Sequence, residues 1–230
     1  MWSMGAPIAT VAGISRVGHT RGMQSIRLTY FDLHGGRGEV ARLAMFIGGI
    51  DFEDRRVKFD DWPALKPKTP FGGIPVLEVD GETVAQSNGI NRFVGKLADL
   101  YPTDAWQAAL CDEAMDVVED ITTQIVATFS IQDEEERKAK RQSLADGPIS
   151  FYLARLQSRL EARGGQYFAD NRLTVADLKV FVWIRNLRSG NLDHVPRDLP
   201  DRISPLLVEH YERVKNHPKV KAYYEKHGVA

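Results

Sequence analysis

The chain has 230 residues, of which 43% are hydrophobic and 27% charged, and its formal net charge at pH 7 is −1. That composition is typical of a soluble globular protein, and the length predicts one large or two small domains. A charge so close to zero argues against a nucleic acid or an anionic membrane as partner. Apolar runs fall short of the roughly 18 residues that a membrane-spanning helix needs, so we expect no membrane segment.

The single cysteine, Cys111, limits thiol and metal chemistry. One cysteine cannot form an intramolecular disulfide, a CxxC redox pair or a cysteine-based zinc site, and it indicates a reducing compartment such as the cytoplasm. We therefore expect no metal, and a thiol reaction must use the thiol of a second molecule or Cys111 itself. The sequence places no histidine or helix start beside Cys111 to lower its pKa, so we expect a structural role.

Residues 1–23 contain Arg16 and Arg21 but no acidic residue, and the first acid of the chain is Asp32. Organelle-targeting peptides have this bias, but an unstructured extension or a start upstream of the true one at Met23 explains it as well. We expect residues 1–23 to form a disordered extension and keep organelle targeting as the alternative.

The next eighty residues alternate between strand and helix patterns. Residues 26–31 alternate apolar and polar side chains as a half-buried strand does, and residues 37–47 repeat apolar side chains at helical spacing. Residues 51–59 predict a second strand, and residues 74–85 predict two short strands around an Asp-Gly turn. With one more helix after them, the order βαβ-ββα predicts a small mixed sheet covered by helices.

That last helix of the α/β region begins near Ser87, which we interpret as its N-cap. Strand patterns cease after Pro102, and long amphipathic helix patterns follow. Thr174 and Asp177 have the spacing of a capping box and mark the start of a buried helix. The predicted division is an α/β domain over residues 24–102 and an all-helical domain over residues 103–230.

Two features of the first domain suit an extended, anionic ligand. Pro75 opens a strand although proline supplies no ladder donor, so it is an ordinary edge proline or, if the bond after Ile74 is cis, it frees the preceding backbone for a peptide-like ligand. Gln86 and Ser87 lie at a helix start, where unpaired N–H groups and the helix dipole attract a carboxylate.

Three segments together resemble a known family: LTYFDLHGGRGEVARL, DWPALKPKTPFGGIPVLEVDG and QSNGINRFVGKLADLY. They are similar to the N-terminal, thioredoxin-like domain of cytosolic glutathione transferases, and most of all to the sigma class, which contains prostaglandin D synthases and S-crystallins. The resemblance covers roughly residues 25–225 and includes LTVADLKVF in the helical domain. It implies glutathione as co-substrate, a small hydrophobic electrophile bound against the helical domain, a cytoplasmic homodimer and a role in detoxification.

The resemblance gives Tyr30 the catalytic role, and simple chemistry supports it. A cysteine-like thiol has a pKa of about 8.5, so only a few per cent is nucleophilic thiolate at neutral pH. Lowering that pKa by about two units takes about 3 kcal/mol, and one hydroxyl donating to the charged sulfur supplies about 1.5–3 kcal/mol. Arg37 and the start of the helix after Gly36 add positive potential.

The resemblance also implies how glutathione is held. Trp62 and Lys66 match residues at its glycine end. Asp116, Glu119 and Asp120 have the spacing of one helix face. An acid matching Asp120 approaches the glutathione amine bound by a neighbouring subunit, and the alternative is that these three acids form a solvated stripe. Phe71 is a candidate for a hydrophobic key between subunits or, alternatively, a local core residue. The residues implied to contact glutathione are Arg37, Trp62, Lys66, Gly72, Gly73, Ile74, Pro75, Gln86, Ser87 and Asp120.

The sequence departs from the sigma pattern in two places. The loop DLHGGRGE is one residue longer, which affects the placement of Arg37 and lets His34 approach the pocket mouth. Ala127, Lys179 and Trp183 stand where prostaglandin D synthases carry other side chains, so prostaglandin specificity is not expected. Glutathione-dependent isomerisation or peroxide reduction would use the same thiolate, and a non-catalytic ligand carrier or crystallin-like protein would keep only the fold.

Overall fold

The computed structural model describes residues 25–229, so the extension predicted for residues 1–23 lies outside the described residues. Its first part contains β1 (Ile26–Phe31), α1 (Gly36–Gly48), β2 (Glu53–Val57), α2 (Trp62–Leu65), β3 (Val76–Val79) and β4 (Glu82–Ala85). The four strands form one sheet in the order β2-β1-β3-β4. β1 is parallel to β2 and antiparallel to β3, and β3 pairs antiparallel with β4, so the predicted thioredoxin-like mixed sheet is confirmed.

The helix after the sheet, α3 (Ser87–Leu97), shows one error of the sequence analysis. Gln86 occupies the N-cap position, and no side chain of residues 25–229 caps this helix. Ser87 donates its hydroxyl instead to Glu119, at 3.0 Å between oxygens. The N-cap prediction for Ser87 is therefore wrong, because a tertiary partner has replaced the local hydrogen bond.

Beyond α3 the regular elements are helical as far as residue 229, as predicted. They are α4 (Ala105–Ala127), α5 (Glu134–Leu144), α6 (Ser150–Glu161), α7 (Val175–Ser189), α8 (Leu199–Ile203), α9 (Pro205–Lys215) and α10 (Pro218–Lys226). None of the helices within residues 25–229 is long and apolar enough to cross a membrane.

The sheet and the helices share one apolar core. Leu28 and Leu77 of the sheet belong to the same buried cluster as Met115 of α4 and Val180 of α7. The backbone N–H of Val175 donates to the carbonyl of Leu100 at 2.9 Å, which fixes the start of α7 against the end of the first region. The helical region is thereby held beside the sheet, with α7 packed against α1.

The start of α7 is fixed by the predicted capping box. Thr174 and Asp177 make both of its reciprocal hydrogen bonds, and both side chains are fully buried. Asp177 also accepts from the backbone N–H of Phe168 at 3.0 Å and lies 3.0 Å from Nε2 of His210. A buried carboxylate with this many partners sets the position of α7 and of the side chains that it presents to the site.

Candidate functional site

Tyr30 lies near the end of β1, directly behind the first turn of α1. The close approach requires two glycines: an ideal Cβ on Gly36 would lie 2.5 Å from the Tyr30 hydroxyl, and one on Gly38 would lie 2.5 Å from ring atom Cδ1. Gly36 also has a φ of +65°, a conformation that other residues adopt at a cost. The two glycines explain why the sequence passes from strand to helix through a glycine-rich loop.

The Tyr30 hydroxyl is arranged to donate a hydrogen bond. Its oxygen accepts the backbone N–H of Arg37 at 2.9 Å, and no residue of the described chain accepts its own hydrogen. Tyr30 is 6% exposed, and this burial raises its pKa above the ordinary value although the Arg37 N–H and nearby guanidinium groups oppose the shift. The phenol therefore stays protonated at neutral pH, with a hydrogen free for a bound anion.

A half-polar cleft of about 260 Å³, here called the polar cleft, opens beside Arg37. Several predicted residues meet there, and the Ile74–Pro75 peptide bond is cis. Gln86 has a φ of +74°, which is uncommon for a residue with a side chain and turns the chain sharply into α3. The residues lining the polar cleft are Arg37, Phe71, Gly73, Ile74, Pro75, Ala85, Gln86, Ser87, Glu119 and Thr123.

Glu119 is the electrostatic centre of the polar cleft. Its carboxylate accepts from Nε of Arg37 at 2.5 Å, from the Ser87 hydroxyl at 3.0 Å and from Nζ of Lys179 at 2.6 Å. Partial burial opposes ionisation, but the two neighbouring cations outweigh it and lower the pKa of Glu119 to about 2. Glu119 of α4 therefore connects α1, α3 and α7 through one ionised group.

Replacing Glu119 by glutamine should destabilise the protein by about 2 kcal/mol at neutral pH, because Arg37 and Lys179 lose their shared counter-charge. Since the folded pKa is depressed, this stabilisation is complete above the ordinary value of 4.5 and is lost as the pH falls toward 2. Urea unfolding of both proteins at several pH values measures the difference, which should shrink on acidification.

The matched control for that comparison is Glu135→Gln, which removes a carboxylate that is 83% exposed. Its effect should stay below about 0.5 kcal/mol at every pH. A Glu119→Gln penalty that does not change with pH, or that equals the control, would contradict the role given to Glu119.

A second cleft, here called the apolar cleft, borders the first at Arg37. Its volume is about 50 Å³, and its walls are mostly apolar. Gly36 lies in its wall, so the Tyr30 hydroxyl behind Gly36 is close to the place where the two clefts meet. The residues lining the apolar cleft are Gly36, Arg37, Val118, Thr122, Lys179, Val182, Trp183 and Asn186.

Other predicted contact residues lie around the polar cleft rather than in its lining. Trp62 packs edge-on against Phe31, with ring centroids 5.6 Å apart. The Lys66 side chain passes near Gly72, where an ideal Cβ would be 3.8 Å from Lys66 Cε. Asp120 is exposed and follows Glu119, whose carboxylate faces the polar cleft. Its predicted contact with a partner's glutathione stays a prediction.

His34 lies in the lining of neither cleft. Its ring contacts Glu39, with Nδ1 and Oε1 3.4 Å apart, and lies 5.0 Å from the ring of His227 near the C-terminus. Arg185 of α7 donates to the His34 carbonyl at 3.1 Å, which holds the loop against the helical region. Cys111 is fully buried, and burial raises the pKa of its thiol to about 12, which excludes it as a nucleophile near neutral pH.

The sequence spacing puts Glu119 in an acidic stripe but does not reveal that its carboxylate contacts Arg37, Ser87 and Lys179 in the polar cleft. A signal was present, because Glu119 follows the buried Met115 by four residues and therefore lies at the edge of the apolar face of α4. Asp116, on the same helix, is turned toward Asn88 and Arg92 instead. Within residues 25–229 no group of three or more His, Cys, Asp or Glu side chains is arranged to hold a metal ion.

Comparison with known proteins places this geometry in a family. The glutathione S-transferase N-terminal domain model matches residues 26–96, and the glutathione S-transferase C-terminal domain model matches residues 119–227. Glutathione S-transferase 1 of Ascaris suum is 34% identical over 206 residues, which cover 87% of this chain and 96% of the relative. Hematopoietic prostaglandin D synthase of Gallus gallus is 31% identical over 204 residues, which cover 89% and 97%.

The fold agrees with these sequence relationships. The structure of prostaglandin synthase D of Nilaparvata lugens superposes with a TM-score of 0.78 at 31% identity and covers 90% of this chain and 100% of that one. Both halves of the chain thus match family models, and the relatives match it almost end to end. The chain belongs to the glutathione S-transferase family, whose enzymes use glutathione as co-substrate.

Proposed function

We propose that this glutathione transferase activates the glutathione thiol as a thiolate through the Tyr30 hydroxyl and conjugates it to small hydrophobic electrophiles. The observation that carries the proposal is the buried, protonated Tyr30 with an unused hydrogen, placed behind Gly36 where the polar and apolar clefts meet. A hydrogen bond from this hydroxyl stabilises the thiolate over the thiol, and the main-chain N–H of Arg37 keeps the oxygen in place.

The polar cleft suits the rest of glutathione. The first backbone N–H groups of α3, which begins at Ser87, face a γ-glutamyl carboxylate, and the backbone of Gly73 and Ile74 pairs with the cysteinyl part. Lys66 and Trp62 are assigned to the glycine end. In this proposal glutathione lies on the domain formed by residues 24–102, and the electrophile lies against residues 103–230. The proposed contacts are Arg37, Trp62, Lys66, Gly72, Gly73, Ile74, Pro75, Gln86, Ser87 and, from a second subunit, Asp120.

The ultraviolet absorbance of the thiolate, followed against pH with bound glutathione, tests the proposal directly. We expect a midpoint about two pH units below that of free glutathione, which corresponds to about 3 kcal/mol of preferential anion stabilisation. Binding without a lowered midpoint would contradict thiolate activation and favour a non-catalytic carrier or crystallin-like protein. Absence of binding would contradict the whole assignment of the polar cleft.

The sequence motifs favour the sigma class, and a cytoplasmic role in detoxification agrees with a chain whose one cysteine is buried and reduced. Similarity to two prostaglandin D synthases supports glutathione-dependent isomerisation as a second candidate function. Lys179 and Trp183 in the apolar cleft favour conjugation, since prostaglandin D synthases carry other side chains at these places. Formation of prostaglandin D at a rate comparable to conjugation would favour the isomerase.

We also propose a homodimer in which Phe71 of one subunit enters the helical domain of the other. Phe71 is 74% exposed, which leaves its ring without a core position in the single chain. A groove of about 370 Å³ between α4 and α6 offers an apolar seat, with Val117, Phe151 and Leu156 in its walls. A second copy supplies the matching aromatic ring, so each dimer would contain the contact twice.

Replacing Phe71 by serine should shift the dimer toward monomers of 25.8 kDa, because the dimer interface loses two buried aromatic rings, one from each subunit. Sedimentation equilibrium over a range of concentrations measures the change, which should reach about a hundredfold in the dissociation constant. Phe129→Ser removes another exposed ring, 57% exposed, and serves as the control with no expected shift. A monomeric wild-type protein, or equal effects of both variants, would contradict the proposed contact.

A further inference from the structure

Lys179 is a buried cation on a helix whose other buried side chains are mostly apolar. It is 4% exposed, and its neighbours Leu178 and Val180 are fully buried. Lysine is almost never buried to this extent unless it is paired, and the hydrogen-bond partner of Lys179 among the described residues is the Glu119 carboxylate alone, at 2.6 Å. Because apolar residues of similar volume often stabilise a protein as well as a buried ion pair does, stability alone does not account for a lysine at this position.

Glu119 connects Lys179 to the Tyr30 hydroxyl. One carboxylate oxygen accepts from Nζ of Lys179, and the other accepts from Nε of Arg37 at 2.5 Å. The guanidinium of Arg37 also donates to the Thr123 hydroxyl at 3.2 Å, which fixes it against α4. The backbone N–H of Arg37 in turn donates to the Tyr30 hydroxyl at 2.9 Å. Lys179 is therefore linked to the tyrosine through Glu119 and Arg37.

Arg37 and Glu119 act on the Tyr30 hydroxyl with opposite sign. Burial is the main reason that the pKa of Tyr30 is raised, and of these two charged neighbours Arg37 lowers that pKa and Glu119 raises it. A sulfur anion held by the same hydroxyl is subject to the same two charges. Taken alone, Arg37 and Glu119 form a neutral pair, so much of the positive potential of Arg37 at the sulfur is cancelled.

Lys179 removes this cancellation, because it neutralises Glu119 from the side of α7. With Lys179 and Arg37 on one carboxylate, the group carries one positive charge in excess. Burial lowers the pKa of Lys179, and the adjoining carboxylate opposes that shift and favours the ammonium form. Asp116 is a second acid that acts on Lys179, but it is paired with Arg92 at 3.3 Å. Glu119 is therefore the group that Lys179 neutralises.

We propose that Lys179 is a positioning residue that holds and neutralises Glu119, so that the positive charge of Arg37 acts on the glutathione thiolate at Tyr30. The proposal rests on thiolate activation by Tyr30 and adds a charge on α7 to it. Lys179 transfers no proton and acts through Glu119 and Arg37 alone.

The thiolate midpoint of bound glutathione, followed by ultraviolet absorbance at saturating glutathione, measures this role. Lys179→Met removes the ammonium and keeps the length of the side chain, which leaves Glu119 free to cancel Arg37. The midpoint should rise by about half to one pH unit, and kcat/KM at about pH 6.5 should fall about three- to tenfold. Lys179→Arg restores a cation and should recover most of both changes.

A double variant separates charge from structure. Glu119→Gln keeps an oxygen that can accept from Arg37, and together with Lys179→Met it removes both charges of the buried pair. Arg37 is then unopposed, so the midpoint should return to within about 0.3 pH units of wild type, although the contact between α4 and α7 is still lost. If Lys179 only supports the fold, the double variant should keep the raised midpoint of Lys179→Met. Glu119→Gln alone should have a midpoint at or below that of wild type.

Two results would overturn the proposal while thiolate activation stands: an unchanged midpoint in folded Lys179→Met, or a double variant with a midpoint as high as that of Lys179→Met. If Lys179→Met does not fold, the double variant decides, and a midpoint about half a unit or more above wild type overturns the proposal. Failure of thiolate activation is a distinct outcome, because wild type itself then shows no lowered midpoint, and both proposals are overturned together.

Discussion

Replacing Tyr30 by phenylalanine should raise the thiolate midpoint of bound glutathione by about one to two pH units and lower kcat/KM at about pH 6.5 by about 10- to 100-fold. The reason is the loss of a hydrogen bond to a charged sulfur, worth about 1.5–3 kcal/mol in the buried position that Tyr30 occupies. Because the pKa of the bound glutathione thiol is lower in wild type than in the variant, the kcat/KM values of the two enzymes should converge as the pH rises through the midpoint of the variant. Thiolate absorbance and steady-state rates measured over the same pH range test both statements.

The control must account for the second role of the Tyr30 oxygen, which accepts the N–H of Arg37. Loss of that bond should alter glutathione affinity by no more than about threefold, since an N–H at the edge of an open cleft can bind water instead. Tyr101→Phe removes the hydroxyl of another buried tyrosine, which donates to Asp112 at 3.0 Å and belongs to the lining of neither cleft. It should leave the midpoint unchanged. An unchanged midpoint in Tyr30→Phe would remove the tyrosine from the mechanism.

The parts of the fold that the sequence predicted are those set by local pattern. The alternation in residues 26–31, the Asp-Gly turn before residue 82 and the spacing of Thr174 and Asp177 each determine one element through its own neighbours. The sequence does not determine that the Ile74–Pro75 bond is cis, because a proline is compatible with both the cis and the trans form. Once these elements exist, the sheet order follows from hairpin and crossover geometry.

The centre of the site is harder to predict from the sequence, because it depends on which helix faces pack against each other. Glu119 and Asp120 differ by one residue and about 100° around α4, and the sequence spacing put both on the same acidic stripe. Only the packing of α4 against α3 and α7 turns Glu119 toward Ser87 and Lys179. Because of the same packing, the Ser87 hydroxyl donates to Glu119 and does not cap α3. His34 likewise faces α10, a partner some 190 positions away that no local pattern reveals.

Gly38→Ala is the change in α1 that should affect both stability and catalysis most. An ideal Cβ at this position would lie 2.5 Å from Cδ1 and 2.8 Å from Cβ of Tyr30, well inside van der Waals contact. These atoms belong to the root of the side chain, so the ring cannot rotate away and α1 must move from β1. We expect a loss of about 3 kcal/mol in unfolding free energy, at the upper end for overpacked cores. Chemical denaturation measures this value.

The same displacement should separate the Tyr30 hydroxyl from the start of α1, and the thiolate midpoint should rise toward that of Tyr30→Phe. Gly147→Ala is the matched control, because an ideal Cβ there meets no atom within 4 Å, and its stability should change by less than about 1 kcal/mol. If Gly38→Ala loses stability but keeps the wild-type midpoint, contact between Tyr30 and α1 serves folding alone, and thiolate activation does not depend on it. If both change together, thiolate activation requires the glycines at the start of α1, because they allow the tyrosine ring to lie against the helix.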